Sequence, residues 1–327
     1  MRVVSLLASG TEIACALGAG GELVGRSHEC DNPDWVRRLP SCTRPAFDVT
    51  MASAEIDAEV RRRVKAGEPL YHVDADLIQR LDPDVLITQV HCDVCAVTPG
   101  DIARAGSTAR SAQVVALAAG TIAGIYEDVR RVGRTLERES AADDLAADMR
   151  RRIEAVTTSV ATRPRPSVAV IEWTDPVFTA ANWMPELVEA AGGTPLLTRD
   201  AEHSTIVPWQ RIVDADPDYV IVAPCGFDLD RTIREAAGLA GRPEWSTLSA
   251  VRNGRVAFAD GNKYFNRSGV TIVETVEILA EILHADCVPA RWRGTAWTAY
   301  SRRPEQTGER EKGRITRSRP GITRTGA

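Results

Sequence analysis

Short apolar runs recur along the chain, each entered from a polar segment and each followed by a loop: Val3 to Leu7, Leu23 to Ser27, Val85 to Thr88 and Tyr219 to Ala223. Runs this short, ended by turn residues, predict buried strands. Between them the apolar period changes to that of a helix. Ser9-Gly10-Thr11-Glu12 has capping-box spacing, and Ile13, Leu17, Gly18 and Gly20 supply the stripe and the stop. Further helices are predicted over Ser53 to Ala66, Asp74 to Leu81 and Thr121 to Leu136. Another runs from about Ala141 to Thr162, with Leu145, Met149, Ile153, Val156 and Val160 at helical spacing. Strands alternating with helices in this way predict an α/β fold with mostly parallel sheets.

The halves echo each other. Leu81-Asp82-Pro83-Asp84-Val85-Leu86-Ile87 reappears as Ala215-Asp216-Pro217-Asp218-Tyr219-Val220-Ile221, and a strand, loop and helix closing on glycine occupies Val3 to Gly20 and again Val168 to Gly193. The expected organisation is a first lobe over 1–120, a helical connection over 121–163, a second lobe over 164–288 and a basic tail over 289–327, with 304–327 read as disordered. The long helix, about 33 Å at 1.5 Å per residue, would bridge two Rossmann-like lobes that share a ligand cleft.

Charge and composition narrow the function. The net charge of -5 divides into about +7 beyond residue 288 and an acidic body, which argues against nucleic acid as the main partner. No apolar run approaches the eighteen or so residues of a membrane span. The amino terminus runs straight into a strand with no separate apolar signal region, so a cytoplasmic protein is expected. Walker-type phosphate loops, G-x-S-x-G and H-E-x-x-H are absent, and a non-catalytic protein is expected.

In open α/β sheets ligands bind beyond the carboxyl ends of the strands. The loops there carry His28-Glu29-Cys30, His91-Cys92-Asp93-Val94-Cys95 and Pro224-Cys225-Gly226-Phe227. Cys30, Cys92, Cys95 and Cys225 are candidate metal ligands for zinc or an iron-sulfur cluster. The competing reading is four reduced thiols packed as small apolar groups. His28 and Glu29 stand at the cleft mouth, where a neutral imidazole is a candidate ligand-binding group and a loop histidine bonded to backbone is the alternative. Trp173, Trp183, Phe227, Tyr264 and Phe265 offer rings to a large flat ligand, with inter-lobe core as the alternative. The planar fork of Arg267 suits a phosphate or propionate.

Several pieces together resemble the helical-backbone substrate-binding proteins of cobalamin, haem and iron-siderophore ABC importers, and in particular the cobalamin-binding branch. They are Val4-Ser5-Leu6 with Thr11-Glu12, Val24-Gly25 with Asp31 and Pro33, Leu81 to Ile87, Phe178 to Gly193, and Tyr264-Phe265-Asn266-Arg267. The resemblance implies a protein that holds cobalamin or another corrinoid, or a related metal-tetrapyrrole, between two lobes, with an ABC importer as partner if the chain is exported. The cysteine-rich loops and the amino terminus set it apart as a cytoplasmic branch of that family. A cysteine-ligated metalloprotein using the same cleft for metal or redox chemistry is the alternative function.

Overall fold

The computed structural model describes residues 1–91, 94, 96–105, 112–198 and 202–301. In the first lobe, chain order is β1 (Val3–Ser5), α1 (Ala8–Ala16), β2 (Leu23–Arg26), β3 (Thr43–Pro45), α2 (Ser53–Ala66), β4 (Tyr71–Val73), α3 (Ala75–Leu81), β5 (Val85–Gln89), α4 (Pro99–Arg104) and β6 (Gln113–Leu117). The strands β2-β1-β5-β6 form a parallel sheet, while β3 and β4 pair as a separate antiparallel ribbon. Every residue of β5 is buried, as expected of a parallel strand covered on both faces.

Two helices, α5 (Ile122–Thr135) and α6 (Glu139–Val160), lead to the second lobe. There the order is β7 (Ser167–Thr174), β8 (Val177–Thr179), α7 (Met184–Ala190), β9 (Thr194–Pro195), β10 (Thr205–Ile206), α8 (Trp209–Ala215), β11 (Tyr219–Val222), α9 (Leu229–Ala240), α10 (Ser249–Arg252), β12 (Val256–Ala259), α11 (Ile272–Leu283) and β13 (Trp297–Ala299). Strands β9, β7, β11 and β12 run parallel, and β8, β10 and β13 extend the sheet antiparallel at its two sides. The sequence echo has a structural counterpart: Asp82 and Asp216 both end a helix in the left-handed conformation, at φ 41° and 37°. Each then feeds the chain into a central strand.

Helix α6 spans 22 residues and packs on α5, α7 and α11. Its apolar stripe joins the largest core. That core runs from Ile13, Ile87 and Leu117 of the first lobe through Ile125, Val129, Met149 and Ile153 to Leu187, Ile221, Val276 and Leu279 of the second. A second cluster around Ile171, Trp245 and Phe258 lies within the second lobe, and a third around Leu6, Ile78 and Leu86 within the first.

Two expectations are corrected. Helix α1 begins at Ala8, with Leu7 as an N-cap that makes no side-chain bond. Ser9, Thr11 and Glu12 are all buried, and Glu12 reaches another lobe instead of capping its own helix. The second lobe also continues past residue 288. Buried Glu281 accepts hydrogen bonds from the backbone N–H groups of Arg291, Trp292 and Arg293 and from Trp297 Nε1, which anchors β13 against β12. Residues 304–327 lie outside the described residues.

Glu281→Ala leaves four donors without their acceptor and removes a charged partner, so a loss of about 3 kcal/mol is expected. Hydrogen exchange should show residues 291–299 losing protection first. Protection unchanged from wild type would refute the anchor.

Candidate functional site

The loops after β2, β11 and β12 meet across the lobes around a cavity of about 560 Å³, lined from the first lobe by His28, Glu29, Asp31, Asn32, Asp34 and Arg37 and from the second by Gly226, Asp228, Asp260, Asn262 and Lys263. The second-lobe side is set by a π-turn over Gly261–Phe265, whose Asp260 carboxylate accepts from the N–H groups of Asn262 and Lys263. Such turns are uncommon and concentrate at functional sites. Gly261 is required there, because its backbone lies against the carbonyls of Ala223 and Pro224.

Arg267 fastens the lobes beside this cavity. Its guanidinium is 5% exposed and forks between Glu12 and Asp31, both at 2.6 Å, with Asn262 Oδ1 at 3.3 Å. Asn262 Nδ2 donates to Asp31 at 2.9 Å, and Asn32 Nδ2 donates to Glu12 at 3.0 Å. Burial raises the Glu12 carboxyl above the ordinary range despite Arg267 and Asn32, and its second oxygen has no partner. Burial would also raise Asp31, but Arg267 and Asn262 outweigh it and hold that carboxyl low. A buried guanidinium satisfied by two carboxylates has little left to offer a ligand anion.

A second set of contacts joins the lobes. Arg231 donates to the carbonyls of Val49 and Met51, Ser53 Oγ meets Thr174 Oγ1 at 2.7 Å, and Trp173 Nε1 donates to Ser53 O at 3.2 Å. Trp173 is half-buried, tilted against Phe227 with ring centres 5.1 Å apart, and the Arg231 guanidinium covers Phe227 at 3.7 Å.

His28 and Glu29 line the cavity from the first lobe. Thr43 Oγ1 accepts from His28 N, lies 2.7 Å from His28 Nδ1 and donates its one proton to Ser27 Oγ. His28 Nε2 lies 3.9 Å from a Glu29 carboxylate oxygen. Burial, then Arg26, lowers His28 to about 4, so the imidazole is neutral at pH 7. The Glu29 side chain is 38% accessible from the cavity yet enclosed by protein around it, and that desolvation raises its carboxyl to about 7 against the pull of Arg267.

The other expected residues are dispersed. Tyr264, Phe265, Trp183 and Phe227 are buried, and all but Phe227 belong to the core that joins the lobes. Trp183 packs against His91, which faces His203. Cys30 is 1% exposed, accepts from Thr11 Oγ1 at 3.0 Å and points its thiol at Ser5 O at 3.7 Å. Burial pushes that thiol up to about 12. Cys225 is half-buried in the other lobe, while Cys92 and Cys95 lie outside the described residues. Among the described residues no group of three or more His, Cys, Asp and Glu is arranged around a metal, so zinc and iron-sulfur binding by the cysteines find no support.

Sequence reading passed over Asp31, Asn32, Asp228, Asp260, Asn262 and Lys263 as cavity residues. The signal for the last three was present, since Asp260-Gly261-Asn262 is a turn placed directly after the apolar run Val256 to Ala259.

The sequence model of the periplasmic binding protein family matches residues 3–262. The chain belongs to that family. It is 24% identical over 294 residues to the uncharacterized ABC transporter substrate-binding lipoprotein YvrC of Bacillus subtilis, covering 87% of this chain and 80% of that one. It is 27% identical over 238 residues to a cobalamin-binding protein of Halobacterium salinarum, covering 69% of this chain and 60% of the relative's length. Among solved structures, a periplasmic haem-binding protein from Pseudomonas aeruginosa superimposes with a TM-score of 0.69 at 19% identity, covering 93% of this chain and 99% of that one. The fold is thus that of a two-lobed periplasmic binding protein, and members of the family are binding proteins of ABC transport systems, not enzymes.

These matches overturn the cytoplasmic expectation. The family is periplasmic by description and the Bacillus relative is a lipoprotein, so the family works outside the cytoplasm. The argument from the amino terminus fails because the first strand of the fold begins at Val3, and a strand there carries no information about compartment. Among the described residues no helix is long and apolar enough to cross a membrane.

Proposed function

We propose that the chain captures a corrinoid between its lobes and presents it to an ABC importer, with related metal-tetrapyrroles and metal chelates as the wider ligand class. The observation that carries this reading is the make-up of the cavity shared by the two lobes. Five carboxylates (Glu29, Asp31, Asp34, Asp228 and Asp260) face two cations (Arg37 and Lys263), with the amides of Asn32 and Asn262 among them. A corrin periphery is rich in carboxamides, which donate to carboxylates and accept from Lys and Asn. A porphyrin brings propionates, which the same carboxylates repel.

His28, neutral at pH 7, is suited to hydrogen-bond a ligand amide or to ligate cobalt. Trp173, packed on Phe227, is the aromatic candidate, and Arg267 serves the reading by holding the lobes rather than by touching the ligand. The cobalamin-binding relative from Halobacterium points the same way.

Titration of the purified chain with hydroxocobalamin and with haemin tests this. Cobalamin is expected to bind at least tenfold more tightly, and tighter binding of haemin, or of neither, would overturn the reading. A pH series separates the charge argument from the shape argument. Because Glu29 titrates near 7, its negative charge grows between pH 6 and 8, so haemin should weaken over that range. Glu29→Gln should flatten the dependence, and a slope that survives in the variant would place the charge elsewhere.

A further inference from the structure

Outside the residues that line the cavity described above, two imidazoles from opposite lobes pack against each other at a tilt. His91 follows β5 in the first lobe, and His203 lies in the second between α7 and β10. Their ring centres are 5.2 Å apart with planes at 47°. Trp183 packs on His91 at 5.6 Å, buried, with its Nε1 lacking a partner.

The His203 loop is pinned. Asn182 N donates to Glu202 O at 2.9 Å and Ala181 N donates to Ser204 Oγ at 3.0 Å, flanking His203 on both sides. Asn182 itself sits at φ 56°, a conformation that stores strain, and its amide reaches toward His91 while Oδ1 makes no well-aligned hydrogen bond. Two unpartnered polar groups and a strained residue thus surround one imidazole pair.

We propose that His91 and His203 form a binding site for one late first-row divalent transition ion, with one ligand from each lobe and the remaining positions open to water or to a donor of a bound chelate. The spacing decides the mode. An ion about 2.1 Å from a ring nitrogen stands about 3.2 Å from the ring centre, so two imidazoles bound at a tetrahedral angle have centres about 5.2 Å apart, and two bound trans about 6.4 Å apart. The observed separation matches that of neighbours on one ion, as it also does two rings in ordinary packing contact, and it falls short of the value for axial ligands on opposite faces of a macrocycle. Imidazole nitrogen suits cobalt, nickel, copper and zinc in this setting. The buried Trp183 wall keeps water from one side.

The inference does not depend on the corrinoid reading. Its test is a titration of the EDTA-stripped full chain with cobalt(II) alone, followed by visible absorption. One equivalent should develop a ligand-field band that zinc(II) displaces. His91→Ala and His203→Ala should each weaken binding at least about a hundred-fold, since even outer-shell losses cost ten- to a hundred-fold. His203 is exposed, so its variant should keep the wild-type melting temperature and separate a lost ligand from a lost fold. A Cys92→Ser, Cys95→Ser double variant should bind as wild type does. No band in the wild type, a band retained in His203→Ala, or a band abolished by the cysteine changes would each overturn the site.

Discussion

Arg267→Ala lowers the melting temperature by about 10 °C at pH 7.5 and loosens the two lobes from each other. The side chain is buried, and its two carboxylate partners come from the opposite lobe. Deleting one member of such a network strands the rest, and a stranded buried charge costs about 3–5 kcal/mol. For a chain of this size each kcal/mol is worth about 2–4 °C.

The pH dependence gives the loss a signature. Burial already raises the Glu12 carboxyl, and without Arg267 it rises further. A carboxyl raised in the folded state supports folding below its unfolded value and ceases to as pH climbs through the folded one. The deficit of the variant should therefore shrink between pH 8 and pH 5. Asp31 acts in the opposite sense in the wild type: held low, it supports folding above its ordinary value and stops doing so as pH falls below about 4. Thermal melts of both proteins across pH 4 to 8 supply the measurement. A uniform deficit at every pH would show that lost packing, and not a stranded carboxyl, is the cause.

Gly261→Ala is expected to cut ligand binding by more than tenfold. An added Cβ would overlap the carbonyl oxygen of Pro224 and stand 2.6 Å from that of Ala223, and both obstacles are backbone. Neither can swing aside as a side-chain tip would. The turn must move, and with it Asn262 and Lys263, which line the cavity, and the loop that carries Arg267. Overpacking of this kind costs about 1–3 kcal/mol. Gly238→Ala is the control, because nothing stands within 4 Å of the added atom and a helical alanine is favourable. Cobalamin titrations of the two variants side by side decide the matter, since equal affinities would mean the turn does not set the site.

Periodic features were legible in the sequence. Helix α2 spans the predicted residues, and α6 lies within two residues of its predicted ends, because an amphipathic stripe follows directly from residue spacing. The repeated Asp-Pro-Asp strand entries were also visible, since they are local turn chemistry. Long-range pairing was not. Glu12 reads as a capping residue until a guanidinium 255 positions away is brought beside it. The aromatic loop Tyr264-Phe265 suggested a ring platform, yet its turn directs both rings into the core and leaves Asn262 and Lys263 at the cavity. Which face of a turn meets solvent depends on what packs behind it, and spacing along one chain does not carry that information.

The apolar core that passes without a break from Ile13 through Met149 to Leu279 makes the two lobes one thermodynamic unit. Neither half has a complete interior of its own, so a fragment ending after β6 would expose the surface that α5 and α6 cover and would lack the partner of its own hydrophobic face. Heating should then give one calorimetric transition whose measured and van't Hoff enthalpies agree, although the molecule has two sheets and a cleft. Any movement of one lobe against the other has to be accommodated by this shared interior, and cargo exchange works within that constraint.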